Sequence, residues 1–82
     1  MAGIGPGFYV DHRGVHVEVL YLGQDAARLD RVVIYRVLHS GAVMSERLVE
    51  FAGIVEAFGE RYWRFTALSE PNLFFDRERR AA

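Results

Sequence analysis

The chain has 82 residues, no cysteine and a formal net charge of −1, with ten basic residues against eleven acidic ones. A chain of this length forms a single domain, and without cysteine it has neither disulfides nor thiolate metal ligands. The near-zero charge gives no general attraction to phosphate backbones, so we do not expect non-specific nucleic-acid binding. No apolar run reaches the roughly 18 residues of a membrane span. The first residues also lack the basic and apolar regions of a signal peptide, so we predict a cytoplasmic domain that does not bind membranes.

The first residues are predicted to form a flexible lead-in followed by a β-hairpin. Residues 1–6 are glycine-rich, which is typical of a flexible segment. Residues 8–10 are a predicted short strand, and residues 11–14 a turn in which Gly14 takes a positive φ. In the strand that follows, one face is predicted to carry the residues of a period-two repeat, namely Val15, Val17, Val19 and Tyr21. Because Leu20 and Leu22 lie on its other face, this strand is expected to be buried on both faces near its end.

A polar loop over residues 24–30 leads into the third predicted strand, which contains an arginine within an apolar run. Alternation places Val33, Tyr35 and Val37 on one face, and Arg36 in the otherwise apolar row on the other. The aliphatic stem of an arginine can cover such a row while the guanidinium reaches solvent. Residues 40–41 are a predicted turn into a fourth strand.

Residues 45–59 allow two interpretations. Apolar residues near one helical face, with Ser45 before them and Gly59 after, favour a helix. Gly53 in the middle of the segment, and the alternation that continues beyond it, favour a turn followed by two strands that reverse at Gly59. Residues 69–82 are a predicted, partly ordered tail, within which three apolar residues are expected to be buried, namely Leu73, Phe74 and Phe75.

Four short motifs together resemble a small bacterial family called domain of unknown function 1653. They are a Gly-x-Tyr and His-x-basic-Gly opening from Gly7 to Gly14, the strand VVIYR, a turn that ends in Phe51, and a hairpin that closes on Arg64-Phe65. The resemblance covers roughly residues 7–68, which we take as the domain. Within it we predict four core residues, namely Val19, Val33, Phe51 and Phe65. It implies an SH3-like antiparallel β-barrel of five or six strands, with residues 46–51 as one short 3₁₀ turn and residues 54–68 as a hairpin. The family implies no activity.

Two arginines that match this pattern, Arg36 and Arg64, are the first candidates for a site. They are expected either to form salt bridges, with Glu18 or Glu50 as partners, or to bind an anion between aromatic rings. The candidate ligand-binding set consists of Tyr9, His12, Tyr35, Arg36, Trp63 and Arg64. For Tyr62 and Trp63, which are neighbours in a strand, alternation predicts that one side chain is exposed.

The sequence predicts a binding module and not an enzyme. No serine has the context of a nucleophile, and the three histidines do not show the spacing of a metal site, so we expect no metal and no cofactor. The leading hypothesis is a non-catalytic module that binds a protein or peptide. The alternative is a sensor or sequestering protein for a small anionic ligand such as a nucleotide, bound by the two arginines. The apolar tail also suggests a homo-oligomer, in which residues 73–75 add a strand to a neighbour.

Overall fold

The structure, a computed structural model, describes residues 3–68, and these residues form a mainly β fold. Its elements in chain order are β1 (Gly7–Asp11), β2 (His16–Gln24), β3 (Arg31–Val37), β4 (Val43–Arg47), α1 (Leu48–Phe51), β5 (Ile54–Ala57), β6 (Glu60–Trp63) and β7 (Phe65–Leu68). Five of the strands form an antiparallel sheet in the order β4-β3-β2-β1-β7, and β5 and β6 form a separate two-stranded sheet. The predicted tail, with Leu73, Phe74 and Phe75, lies outside the described residues.

The predicted fold class, a small antiparallel β fold with one short helical turn, is confirmed. Within the five-stranded sheet, β7, its last strand in chain order, pairs with β1, the first strand of the chain. The number of strands differs from the prediction, because the predicted hairpin of residues 54–68 is divided at Arg64: β5 and β6 pair with each other, while β7 pairs with β1. The helical turn is α-helical rather than 3₁₀ and occupies only Leu48–Phe51 of the predicted residues 46–51.

The core is built around a stack of aromatic rings on one face of the five-stranded sheet. Phe51 is fully buried, and its ring stacks on that of Phe65 with the centroids 4.0 Å apart. The rings of Tyr9 and Tyr35 lie against Phe51, each with its centroid at 5.5 Å. Phe51 is the only buried residue of α1, so the function of this turn in the fold is to deliver one ring to the core. The four predicted core residues are all buried, namely Val19, Val33, Phe51 and Phe65.

A β-bulge changes the face of the residues at the end of β2. The pairing with β3 shifts register between Val19 and Tyr21, so one extra residue, Leu20, lies on β2. Tyr21 is therefore 57% exposed instead of continuing the buried row. Leu22 packs against the core in its place. The prediction that both faces are buried here is wrong for Tyr21, because the bulge exchanges the two faces.

The first hairpin is held by the buried carboxylate of Asp11. Its Oδ1 accepts hydrogen bonds from the backbone N–H groups of Arg13 and Val15, both at 2.8 Å, while Oδ2 pairs with the Arg13 guanidinium. Gly14 has a φ of 92°, as predicted for this turn. Since the turn satisfies its own polar groups, β1 and β2 enter the sheet in a fixed register.

Candidate functional site

Arg36 lies on the face of the sheet that is opposite to the aromatic core. It is directly across from Glu18 on β2, and its Nη2 pairs with Glu18 Oε1 at 2.5 Å. The side chains of Arg36 and Glu18 are 46% and 28% exposed. The predicted salt bridge is confirmed. An arginine is tolerated in this otherwise apolar row because its head group reaches both water and a carboxylate.

Arg64 belongs to a hydrogen-bonded network on the core face. Its Nη2 pairs with Glu46 Oε2, and its Nη1 donates to the backbone carbonyl of Glu50 at 3.2 Å. Tyr35 Oη donates to the same Glu46 oxygen at 3.1 Å. Burial, followed by the neighbouring Glu46 carboxylate, raises the pKa of Tyr35 to about 12, and the hydrogen bond to Glu46 raises the pKa of Arg64. The phenol is therefore a neutral donor and the guanidinium a cation across the physiological range.

The two arginines do not converge on a common ligand. Successive residues of a strand face opposite sides, so Arg36 is separated by the sheet from Tyr35 and from the Glu46–Arg64 pair. The hypothesis of one anion site formed by Arg36 and Arg64 stays a prediction, and the geometry does not support it, because the two arginines have different carboxylate partners on different faces of the sheet.

A charged cleft of about 640 Å³ lies between β4, α1 and β5. Its lining residues are Glu46, Arg47, Val49, Glu50, Gly53, Ile54, Val55 and Arg64. Arg47 is already engaged, with Nε 3.3 Å from Asp30 and Nη1 3.8 Å from Glu50. Glu46 Oε1 is buried and has no hydrogen-bond partner among residues 3–68. Because both guanidiniums of the cleft are already paired with carboxylates, the cleft disfavours an anion.

A second cleft, of about 500 Å³, is apolar. It is lined by Gly3, Ile4, Tyr9, Trp63, Phe65, Thr66 and Ala67, none of which carries a charge. We call it the apolar cleft. Tyr9 and Trp63, two members of the predicted ligand-binding set, meet here.

The walls of the apolar cleft come from three parts of the chain. The lead-in is attached to β1 because Tyr9 Oη donates to the carbonyl of Gly5 at 2.9 Å and accepts from its N–H at 3.2 Å. This places Ile4 against the core. Ala67 on β7 is directly across from Tyr9, and its exposure shows that the cleft is open on the core side of β7. Trp63, 38% exposed, forms the opposite wall.

The remaining predicted residue, His12, follows β1 and lies apart from both clefts. Its ring is tilted against that of Tyr62 with centroids 6.4 Å apart, and its backbone N–H donates to the carbonyl of Arg64. Of Tyr62 and Trp63, Trp63 is the exposed side chain, as alternation predicted for one of the two. Within the described residues no group of three or more His, Asp or Glu side chains could hold a metal.

Sequence reasoning missed the most exposed aromatic residue of the described chain. Phe58 occupies the turn between β5 and β6 with a φ of 55°, next to Gly59 with a φ of 76°. Its side chain is 101% exposed. The sequence contains part of the information needed to predict this exposure. Gly59 is typical of the second position of a two-residue hairpin turn, and Phe58 occupies the first position, where asparagine is usual.

No protein-family model, no curated protein and no solved structure matches this chain. The resemblance to domain of unknown function 1653 therefore stays a prediction. None of the helices among residues 3–68 has the length and apolar character needed to cross a membrane.

Proposed function

We propose that this domain is a non-catalytic binding module whose apolar cleft takes up an apolar side chain from a protein or peptide partner. The observation that carries the proposal is the composition of the cleft: three aromatic rings and Ile4 surround about 500 Å³ with no charged side chain among them. An open site of this kind gains free energy by excluding water from apolar surface.

The groups in the cleft favour binding over catalysis. Catalysis of proton transfer or acyl transfer needs a nucleophile, an acid or a base within reach of the substrate. The one phenol of the cleft, Tyr9, uses its hydroxyl group to hold Gly5. The other lining residues contribute hydrocarbon, indole and backbone groups, and Thr66 contributes one hydroxyl group. The same proposal includes two further points. The domain resembles a family that has no known activity, and it is located in the cytoplasm.

The charged cleft supports the alternative, a sensor for an anion, less well. Each of its two guanidiniums has a carboxylate partner, so an anion has to displace Glu46 or Glu50 before it can bind. Breaking such a pair leaves a carboxylate without its counter-charge, which is unfavourable where solvent is partly excluded. A ligand that enters the apolar cleft breaks no ion pair, because no lining residue is charged.

A short peptide with a single phenylalanine flanked by polar residues is a suitable probe, with the alanine version of the same peptide as its control. Burial of one phenyl group contributes about 1.5–3 kcal/mol, so we expect weak binding that nuclear magnetic resonance titration can follow. The expected shifts fall on the amides of the cleft-lining residues, and the emission of Trp63, the only tryptophan, should change as well.

A pair of variants makes the test specific. Ala67→Arg places a long side chain in the mouth of the cleft and should abolish the shifts. Ala27→Arg adds the same charge at an exposed loop position and should leave them unchanged. Shifts that are equal for the phenylalanine and alanine peptides, or that persist in Ala67→Arg, would show that the cleft is not the binding site.

A further inference from the structure

Phe58 is placed unfavourably in two respects for a residue that serves only the fold of its own chain. Its φ of 55° is in the left-handed region, which a β-carbon disfavours and which is a genuine outlier for a bulky residue. Its ring is fully exposed to water. The turn itself is well served by asparagine or glycine at this position, so the hairpin does not require an aromatic ring there.

The ring of Phe58 does not enter the apolar cleft of its own molecule, since it is fully exposed. Phe58 lies in the turn before β6, whereas Trp63, a wall of the cleft, is the last residue of that strand. At about 3.3 Å per residue, the four residues of β6 alone span roughly 10–13 Å. The ring therefore projects away from the domain, while the cleft that suits it remains open at the base of the same hairpin.

We propose that the apolar cleft takes Phe58 of a second copy of this chain, so that two molecules form a dimer by reciprocal insertion of their β5–β6 turns. This inference rests on the proposed function and names the partner of the same site. A cleft with aromatic walls and no charge is chemically complementary to a phenyl ring. Because the ring and the cleft wall belong to one hairpin, a single two-fold axis can satisfy both contacts, which closes the assembly at two subunits.

The rest of the hairpin supports a contact between copies. The residues of its exposed face are paired across the strands: Ile54 lies opposite Trp63, and Glu56 lies opposite Arg61. Ile54 is 41% exposed, so it widens the apolar surface beside Trp63 at the base of the hairpin. The opposite charges beyond it, and a net charge of only −1, do not oppose self-association.

The expected interface is small, so the dimer should be in equilibrium with monomer. Two inserted rings bury on the order of 150–250 Å² each, well below the roughly 1,200 Å² of a stable interface unless the hairpin faces also meet. Sedimentation velocity over a wide range of protein concentration is therefore the suitable measurement. On dilution, the emission of the single tryptophan, Trp63, should shift to longer wavelength as its cleft empties.

The central variant is Phe58→Asn, because asparagine tolerates the left-handed conformation and keeps the turn while removing the ring. We expect its dimer to be at least about 30-fold weaker, the change in dissociation constant that corresponds to loss of an interface hot spot. Leu29→Asn is a closely matched control: Leu29 also has a positive φ, 61°, and is 69% exposed, but it lies in the loop between β2 and β3. It should dimerise like the wild type.

Mixing two monomeric variants tests the insertion directly. Phe58→Asn retains the cleft, and Ala67→Arg retains the ring but has its cleft blocked. Each should be monomeric alone, and the mixture should recover association through one remaining contact. If Ala67→Arg fails to fold, as circular dichroism would show, the comparison of Phe58→Asn with Leu29→Asn decides the question.

A wild-type protein that stays monomeric at every concentration overturns the inference, as does a dimer that Phe58→Asn leaves intact. The first result points to another occupant of the cleft, either a different protein or residues 69–82 of the same chain. These failures are separable from failure of the proposed function: a monomer whose cleft still binds the phenylalanine peptide keeps the function and loses the second copy.

Discussion

Removal of the central aromatic ring is the most severe single change that the structure allows us to predict. Phe51 is 0% exposed and is in contact with three other rings, those of Tyr9, Tyr35 and Phe65. Truncation of a buried phenylalanine to alanine costs about 3–5 kcal/mol, from lost transfer free energy and from the cavity left behind. At about 0.05–0.15 kcal/mol per residue, the whole chain has a free energy of unfolding of roughly 4–12 kcal/mol. Phe51→Ala should therefore remove between about a quarter and all of it.

Urea denaturation followed by circular dichroism measures this difference, and thermal unfolding gives a second estimate. A loss of 3–5 kcal/mol corresponds to a fall in Tm of about 12 °C or more for a domain of this size. Val49→Ala is the matched control, because Val49 lies on the same helical turn but is 65% exposed. Its free energy of unfolding should stay within about 0.5 kcal/mol of the wild type.

The conservative variant Phe51→Leu distinguishes the effect of ring stacking from the effect of filling the space in the core. It keeps an apolar side chain in the space but loses the stacked ring, so its loss should fall between the other two variants. The contradicting result would be a free energy of unfolding for Phe51→Ala within about 1 kcal/mol of the wild type, the range expected of the control. The aromatic stack would then not be needed for stability, and α1 would not serve to place one ring in the core.

Three further changes test other parts of the structure, each by urea denaturation. Arg36→Met should cost no more than about 1 kcal/mol, because its pair with Glu18 is partly exposed and methionine keeps the packing of the stem; a larger loss would mean that the pair is a structural requirement. Tyr35 has a pKa raised from 10.0 to about 12, so its contribution, on the order of 3 kcal/mol, is fully present below pH 10 and is lost as the pH rises toward 12. Tyr35→Phe should flatten this alkaline loss, whereas Tyr21→Phe, at an exposed position, should not. Gly14→Ala should cost about 1–2 kcal/mol because the φ of 92° is unfavourable for a β-carbon, and an unchanged midpoint would contradict the turn geometry.

Period-two alternation predicted the core well because it reports which side chains share a face. Val19, Val33 and Phe65 were found in this way, and Phe51 from its place after the short turn. The same rule failed at Tyr21, since a bulge adds one residue without changing the composition of the strand. A one-residue shift exchanges the faces, and nothing in the local pattern of apolar residues marks it.

The candidate site was harder to predict because it depends on contacts between distant segments. Alternation could have separated Arg36 from Tyr35, and so from the network of Arg64, without any structure. It could not bring the lead-in to β7, because the attachment of Gly5 to the Tyr9 hydroxyl depends on tertiary placement. Phe58 was overlooked for a related reason: its apolar character suggested burial, whereas its position in a two-residue turn determines that it is exposed.

The pairing of β1 with β7 has a consequence for how the domain folds. Phe8 is directly across from Leu68, so this ladder joins the two ends of the described chain and closes the longest loop in the sheet. Contacts between such distant residues are costly in chain entropy, and proteins dominated by them fold slowly. The hairpins β1–β2 and β3–β4 can form locally, but β7 has no partner until β1 is in place. A circular permutant that links residue 68 to residue 7 and opens the chain at the turn between β5 and β6 would make this ladder local. It should fold faster than the natural order while keeping the same sheet.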